Sequence, residues 1–226
     1  MKIENMVAGR LNLLLFLAIT MLSCARKNNI EIQSNSSPLL RQITSPCEDC
    51  ELMLIGIPHH LNSVDTTEGW NEAGQKLIVK GKILQPDRKS NASDIVLYYY
   101  HTDQQGYYSP GEKSNAGTAR HGRLRGWVKT GSDGTFSIFT NRPAQYPGNA
   151  AEAHIHVIIK EPDMDKPYWT DAWVFDDDPL LTTQIRNRLE NRGGSGILKT
   201  TSTEDIQITY VTIVLGLNIP GYPHHK

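Results

Sequence analysis

From residue 76 onward the chain is a series of short runs in which apolar and polar residues alternate, broken by Gly, Pro, Asn and Asp. Alternation with period two marks strands that bury one face. The pattern predicts strands over 76–84, 94–100, 124–130, 135–140, 153–159, 173–175 and 206–217. Turn chemistry separates them: Pro86-Asp87 through Ser93-Asp94 is one such stretch, and Gly131-Ser132-Asp133-Gly134 predicts a hairpin. A different period appears once. Leu181, Ile185 and Leu189 recur at helical spacing, with Pro179 suited to a first helical position and Gly193-Gly194 past the end. Many short strands at even spacing predict an all-β fold, a sandwich of mostly antiparallel strands, with one short helix after Asp178-Pro179-Leu180. Residues 51–226 suffice for one such domain.

The start of the chain follows another pattern. Lys2 and Arg10 precede an apolar run over 11–22, too short for a comfortable membrane span and laid out like a secretory signal. Met21-Leu22-Ser23-Cys24 resembles a bacterial lipoprotein processing site. That resemblance implies a signal peptide over 1–23 and a lipidated Cys24. It also implies a lipid anchor to a bacterial membrane, within the cell envelope and facing the periplasm or the surface. A plain signal peptide with an incidental cysteine is the alternative. Residues 24–50, rich in Asn and Ser, are expected to form the lipidated N-terminus and a flexible tether.

Charge narrows the partners. Lys and Arg total 23 against 24 Asp and Glu, which argues against a nucleic-acid partner. Of the three cysteines, Cys47 and Cys50 remain. In an oxidising compartment they form a structural disulfide or stay an idle thiol pair. A zinc clamp would need two more ligands at comparable spacing, and no βαβ pattern supports redox catalysis.

His154 and His156 are the most informative pair. On one strand they project from the same face, and a tyrosine from the loop carrying Tyr146-Pro147 would add a phenolic donor. Imidazole suits zinc, copper, iron and nickel, and phenolate tilts the choice toward high-valent iron. The plainer reading is a solvated strand face. His59-His60 and His224-His225 read as loop and tail, and His101 and His121 as surface or outer-shell groups.

An ordered set of motifs goes further. Asp103-Gln104-Gln105-Gly106-Tyr107-Tyr108, then 124–130, Asp133-Gly134-Thr135-Phe136, Arg142-Pro143-Ala144-Gln145-Tyr146-Pro147, Ala153-His154-Ile155-His156 and 174–180 together resemble the intradiol ring-cleavage dioxygenases. These are the catechol and protocatechuate dioxygenases. The resemblance runs from about Gly74 to the last strand. It implies a non-haem Fe(III) β-sandwich that cuts an ortho-diphenol ring between its two hydroxylated carbons and inserts both atoms of O2. By position it assigns Tyr107, Tyr146, His154 and His156 to the metal, with Tyr107 and Tyr146 also catalytic. Tyr108 competes with Tyr107; its other role is packing or hydrogen bonding at the site edge. The resemblance further implies that Tyr146 leaves the metal when substrate chelates and takes a proton, while Tyr107 stays.

The chain departs from the family around the pocket. Ala151 stands where the family has arginine, Gly148 where tryptophan is frequent, and Ala172 where a glutamine lies. Arg125 or Arg142 would be the replacement cation, or else a framework residue. The small side chains predict room for a bulkier aromatic diol. A catalytically weak or inactive metal- or ligand-binding sandwich, and a surface adhesion module, are the alternatives.

Overall fold

The computed structural model describes residues 40–111, 119–149 and 151–223. The expected signal segment, Cys24, most of the tether and the 224–226 tail lie outside the described residues.

The alternating runs assemble into two mixed sheets, an all-β sandwich. One sheet orders β1 (Val64–Thr66), β5 (Thr135–Asn141), β2 (Lys76–Leu84), β11 (Ile206–Val214) and β10 (Thr200–Thr203). The other orders β4 (Arg125–Lys129), β3 (Val96–His101), β6 (His154–Lys160), β8 (Trp173–Phe175) and β9 (Ile197–Leu198), with β7 (Tyr168–Trp169) also paired to β6. Leu77, Val79 and Ile83 of β2 meet Leu97 and Tyr99 of β3 and Ile155, Val157 and Ile159 of β6 in the core between the sheets. The second sheet is apolar on its outer face too. Tyr98, Tyr100 and Ile158 pack there beneath Cys50 and Met53. Two covered faces account for the unbroken Tyr98-Tyr99-Tyr100 run, where a half-exposed strand would alternate.

Three expectations change. The 131–134 turn is no hairpin, because β4 and β5 lie in different sheets. Its Gly134 N–H bonds Gly131 O at 3.0 Å, and the chain then crosses to pair with β2, Phe136 opposite Gly81. The helix is a single turn, α1 (Thr183–Arg186), started by Thr182, whose hydroxyl accepts the Ile185 N–H at 3.3 Å. It begins after Pro179 because Asp178 holds 178–181 in a turn, its side chain taking the Leu180 N–H and its carbonyl the Leu181 N–H. Finally, the ordered body starts ahead of residue 51. Ile43 is 1% exposed within the core. Arg41 reaches the buried Glu161, which also accepts the hydroxyls of Tyr168 and Tyr222. Cys47 and Cys50 are joined as a disulfide.

Candidate metal centre

The outer face of the second sheet carries the candidate chemistry. In β6, Ile155, Val157 and Ile159 turn into the core, so His154 and His156 turn outward. Tyr100 lies directly opposite His156 in the β3–β6 register. Its ring stacks on that imidazole with centroids 4.5 Å apart, and its other face stacks on His121 at 3.7 Å. His121 is in turn held through Nδ1 by the Tyr98 hydroxyl at 2.9 Å. A rigid aromatic row thus sets the plane of His156.

Two loops bring phenols to this face. Asp103 builds the first. Its carbonyl accepts the Gly106 N–H at 3.1 Å and its Oδ1 accepts the N–H groups of Gln105 and Tyr107. Gly106 has φ +81°, and a Cβ there would lie 2.2 Å from Gln145 O. Only glycine fits so close a passage of the two loops. The second loop is tied to the first by the Ala144 N–H to Asp103 O and by the Thr102 hydroxyl to Ala144 O.

The result is a closed ring of four donor atoms. Tyr108 Oη and Tyr146 Oη are 2.7 Å apart, Tyr146 Oη and His154 Nε2 3.2 Å, the two Nε2 atoms 3.2 Å, and His156 Nε2 and Tyr108 Oη 3.0 Å. Ligands ~2 Å from one ion lie roughly 3 Å from each other, so the spacing suits a shared metal. The His154 Nδ1–H donates to Glu152 O at 2.7 Å, which leaves Nε2 with its lone pair facing the ring. Burial, reinforced by His154, pushes the His156 pKa down to about 3, so its imidazole is neutral, the form that can ligate a metal. Burial, with the Tyr146 hydroxyl adding to it, raises the Tyr108 phenol above its ordinary value. A phenolate there calls for a cation. Among the described residues no three His, Cys, Asp or Glu side chains gather into a metal shell; half of the donors in this ring are phenols.

Of the four expected residues, the structure brings Tyr146, His154 and His156 together, with Tyr108 beside them. Tyr107 is 58% exposed, while the Tyr108 hydroxyl supplies the second phenol of the ring. The turn at Gly106 reverses the alternation that a continuous strand would impose. Arg142 is taken up by Asp177 and Gln207 and lies over the Phe175 ring, a framework role. Arg125 sits over Trp127 and lines a separate cleft of about 420 Å³ with Thr66, Thr67 and Glu68. None of the four donors lines that cleft. Gly148 has open space around it, and Ala151 and Ala172 are half-buried. Ala172 sits between Trp173, which pairs with Ile155, and Thr170, whose N–H bonds Val157 O, hence beside His156. Tyr100, Asp103 and Asp178 escaped the residue-by-residue reading. Tyr100 looked like ordinary strand composition, and each aspartate could be read as part of a turn.

No protein-family model matches the chain. Catechol 1,2-dioxygenase 1 of Acinetobacter lwoffii is 27% identical over 174 residues, 65% of this chain and 54% of that protein. Among solved structures, the dioxygenase domain of a carbohydrate-binding fusion from Streptomyces sp. SirexAA-E superposes with a TM-score of 0.50 at 21% identity, over 77% of this chain and 98% of that one. The 3-chlorocatechol 1,2-dioxygenase of Rhodococcus opacus 1CP gives 0.52 at 19% identity, over 70% and 68%. The chain is similar in sequence to a catechol 1,2-dioxygenase and shares its fold with solved dioxygenase structures. It spans about half the length of the curated catechol 1,2-dioxygenase it matches. The four-donor ring stands on the strand and loops that carry the intradiol motifs.

Proposed function

We propose that this chain is an intradiol dioxygenase using ferric iron, and that its substrate is an ortho-diphenol. The convergence of Tyr108, Tyr146, His154 and His156 carries the proposal. The related structures are dioxygenases of catechol, 3-chlorocatechol and hydroxyquinol, which share adjacent hydroxyl groups. Ferric iron, when bound, supplies a centre for both substrate oxygens and an acceptor for ring electron density. The reaction adds both atoms of O2 to the diphenol and opens the bond between the hydroxylated carbons, giving a dicarboxylic acid.

The side chains do the rest. Two phenolates cancel two of the three charges of the ion, leaving a centre that favours an anionic diphenol. Tyr146 Oη is the group assigned to accept a substrate proton. Its loop runs into Gly148, where space is open. The stack of Tyr100 and His121 keeps His156 fixed meanwhile. Gly148, Ala151 and Ala172 leave room for a ring larger than catechol.

The test is to load purified protein with ferric iron, record the visible tyrosinate absorption, and supply ¹⁸O₂ with catechol and bulkier catechols. A coloured protein that puts two labelled atoms into one ring-opened product is expected, with bulkier rings turned over at least as fast as catechol. A colourless protein after loading would overturn the enzymatic reading, and strict preference for catechol would overturn the substrate-size reading. We also propose a lipid anchor at Cys24, supported by the 11–22 apolar run and Ser23-Cys24. Radiolabelled palmitate should enter the wild-type chain expressed in bacteria and not Cys24→Ala; equal labelling would refute the anchor.

A further inference from the structure

Three consecutive aspartates follow β8, and their surroundings differ. Asp176 pairs with Arg186 and Asp177 with Arg142. Asp178 is 6% exposed and is satisfied by N–H groups. Its Oδ1 accepts the Gln145 side-chain amide at 2.6 Å and the Leu180 N–H at 2.8 Å. Its Oδ2 accepts the Ala153 N–H at 2.8 Å. Gln145 immediately precedes Tyr146, and Ala153 immediately precedes His154.

We propose that Asp178 is a positioning residue that locks Tyr146 and His154 together, holding in one carboxylate the residue before each donor. The inference rests on the metal-centre reading for its consequence, though not for its geometry. A buried carboxylate is costly unless hydrogen-bonded, and here three donors converge on it. All three partners donate, so the site needs an acceptor-only side chain. Asparagine has nearly the same shape but brings two N–H hydrogens, at least one of which must face another donor. The contacts also join separate parts of the fold: the 142–149 loop, the start of β6 and the turn after β8. Tyr146 and His154 Nε2 are 3.2 Å apart, so a slip in either support opens the donor ring directly.

The experiment compares wild type, Asp178→Asn and Gln145→Leu. Each is assayed for thermal unfolding, ferric affinity, the tyrosinate absorption band, and exchange of the Ala153 amide hydrogen without metal. Asp178→Asn should lower ferric affinity by roughly 10–100-fold, as expected for loss of an outer-shell partner, shift the band and speed Ala153 exchange. Gln145→Leu should shift the band and leave Ala153 protected, because it cuts only the Tyr146 arm. Folded Asp178→Asn with wild-type affinity, band and exchange would overturn the proposal. If Asp178→Asn does not fold, an unchanged band in Gln145→Leu would overturn it. A wild-type chain that binds no ferric iron would defeat the functional reading, whereas faster Ala153 exchange in Asp178→Asn would still uphold the lock.

Discussion

Tyr107 and Tyr108 are neighbours with opposite environments. One ring stands in solvent; the other places its hydroxyl 2.7 Å from Tyr146 Oη. Tyr108→Phe should therefore cost ferric affinity at least the ~100-fold that loss of an outer-shell partner can reach, and should change the visible band. Tyr107→Phe should change neither; titration of both variants with ferric iron checks this, and equal effects would contradict the assignment. The family resemblance narrowed the phenol to these two residues. What it lacked was the left-handed turn at Gly106, which decides which ring faces inward. Histidine placement was easier to read, because β6 is regular and period two determines its faces. Arg125 and Arg142 show the converse. Both lie in motif segments, yet Arg125 rests on Trp127 of its own strand, and Arg142 is occupied by Asp177, a partner that appears only once the chain has folded.

Regular elements were legible where apolar alternation was long. β2 occupies the very residues that its alternation marks. Short elements were missed: β1, β7, β9 and β10 span two to four residues, too few to show a period. The predicted helix shrank to one turn because Asp178 bends its expected first turn and only Leu181 of its apolar triplet is buried. The segment 41–43 read as tether because its polar neighbours hide two anchoring residues. Arg41 and the buried Glu161 make a charge pair 2.5 Å apart. Arg41→Ala leaves that carboxylate with tyrosine hydroxyls alone and should cost about 3 kcal/mol, read as a lower urea midpoint. An unchanged midpoint would mean that 41–43 contributes nothing to the body.

For the molecule as a whole, acid is the expected weakness. His101 is 1% exposed, with Nδ1–H donating to Thr102 O and Nε2 accepting the Thr140 hydroxyl. Burial pushes its pKa down to about 4, as it does for His121. The folded chain thus binds fewer protons than the unfolded chain between about pH 6.5 and 4. Stability is fully present above that window and falls as pH drops through it. By pH 5 His101 alone should remove on the order of 2 kcal/mol. Urea unfolding of metal-free protein at pH 7.5 and pH 5 measures the difference, and replacing His101 by Gln should flatten it; a pH-independent midpoint would count against a neutral buried imidazole.

The pairing of β2 with β11 has a consequence for how the protein comes into being. Residues 76–84 lie between β5 and the parallel strand 206–214, so a central rib of the first sheet is supplied by a segment synthesised long after β2. Until Val214 has left the ribosome, β2 has one open edge with every amide on that side unpaired. Neither the Tyr108 loop nor β6 has a finished scaffold behind it during that interval. Maturation is thus all or nothing: a chain halted before Ile206 leaves protease-sensitive strands in place of a smaller folded body.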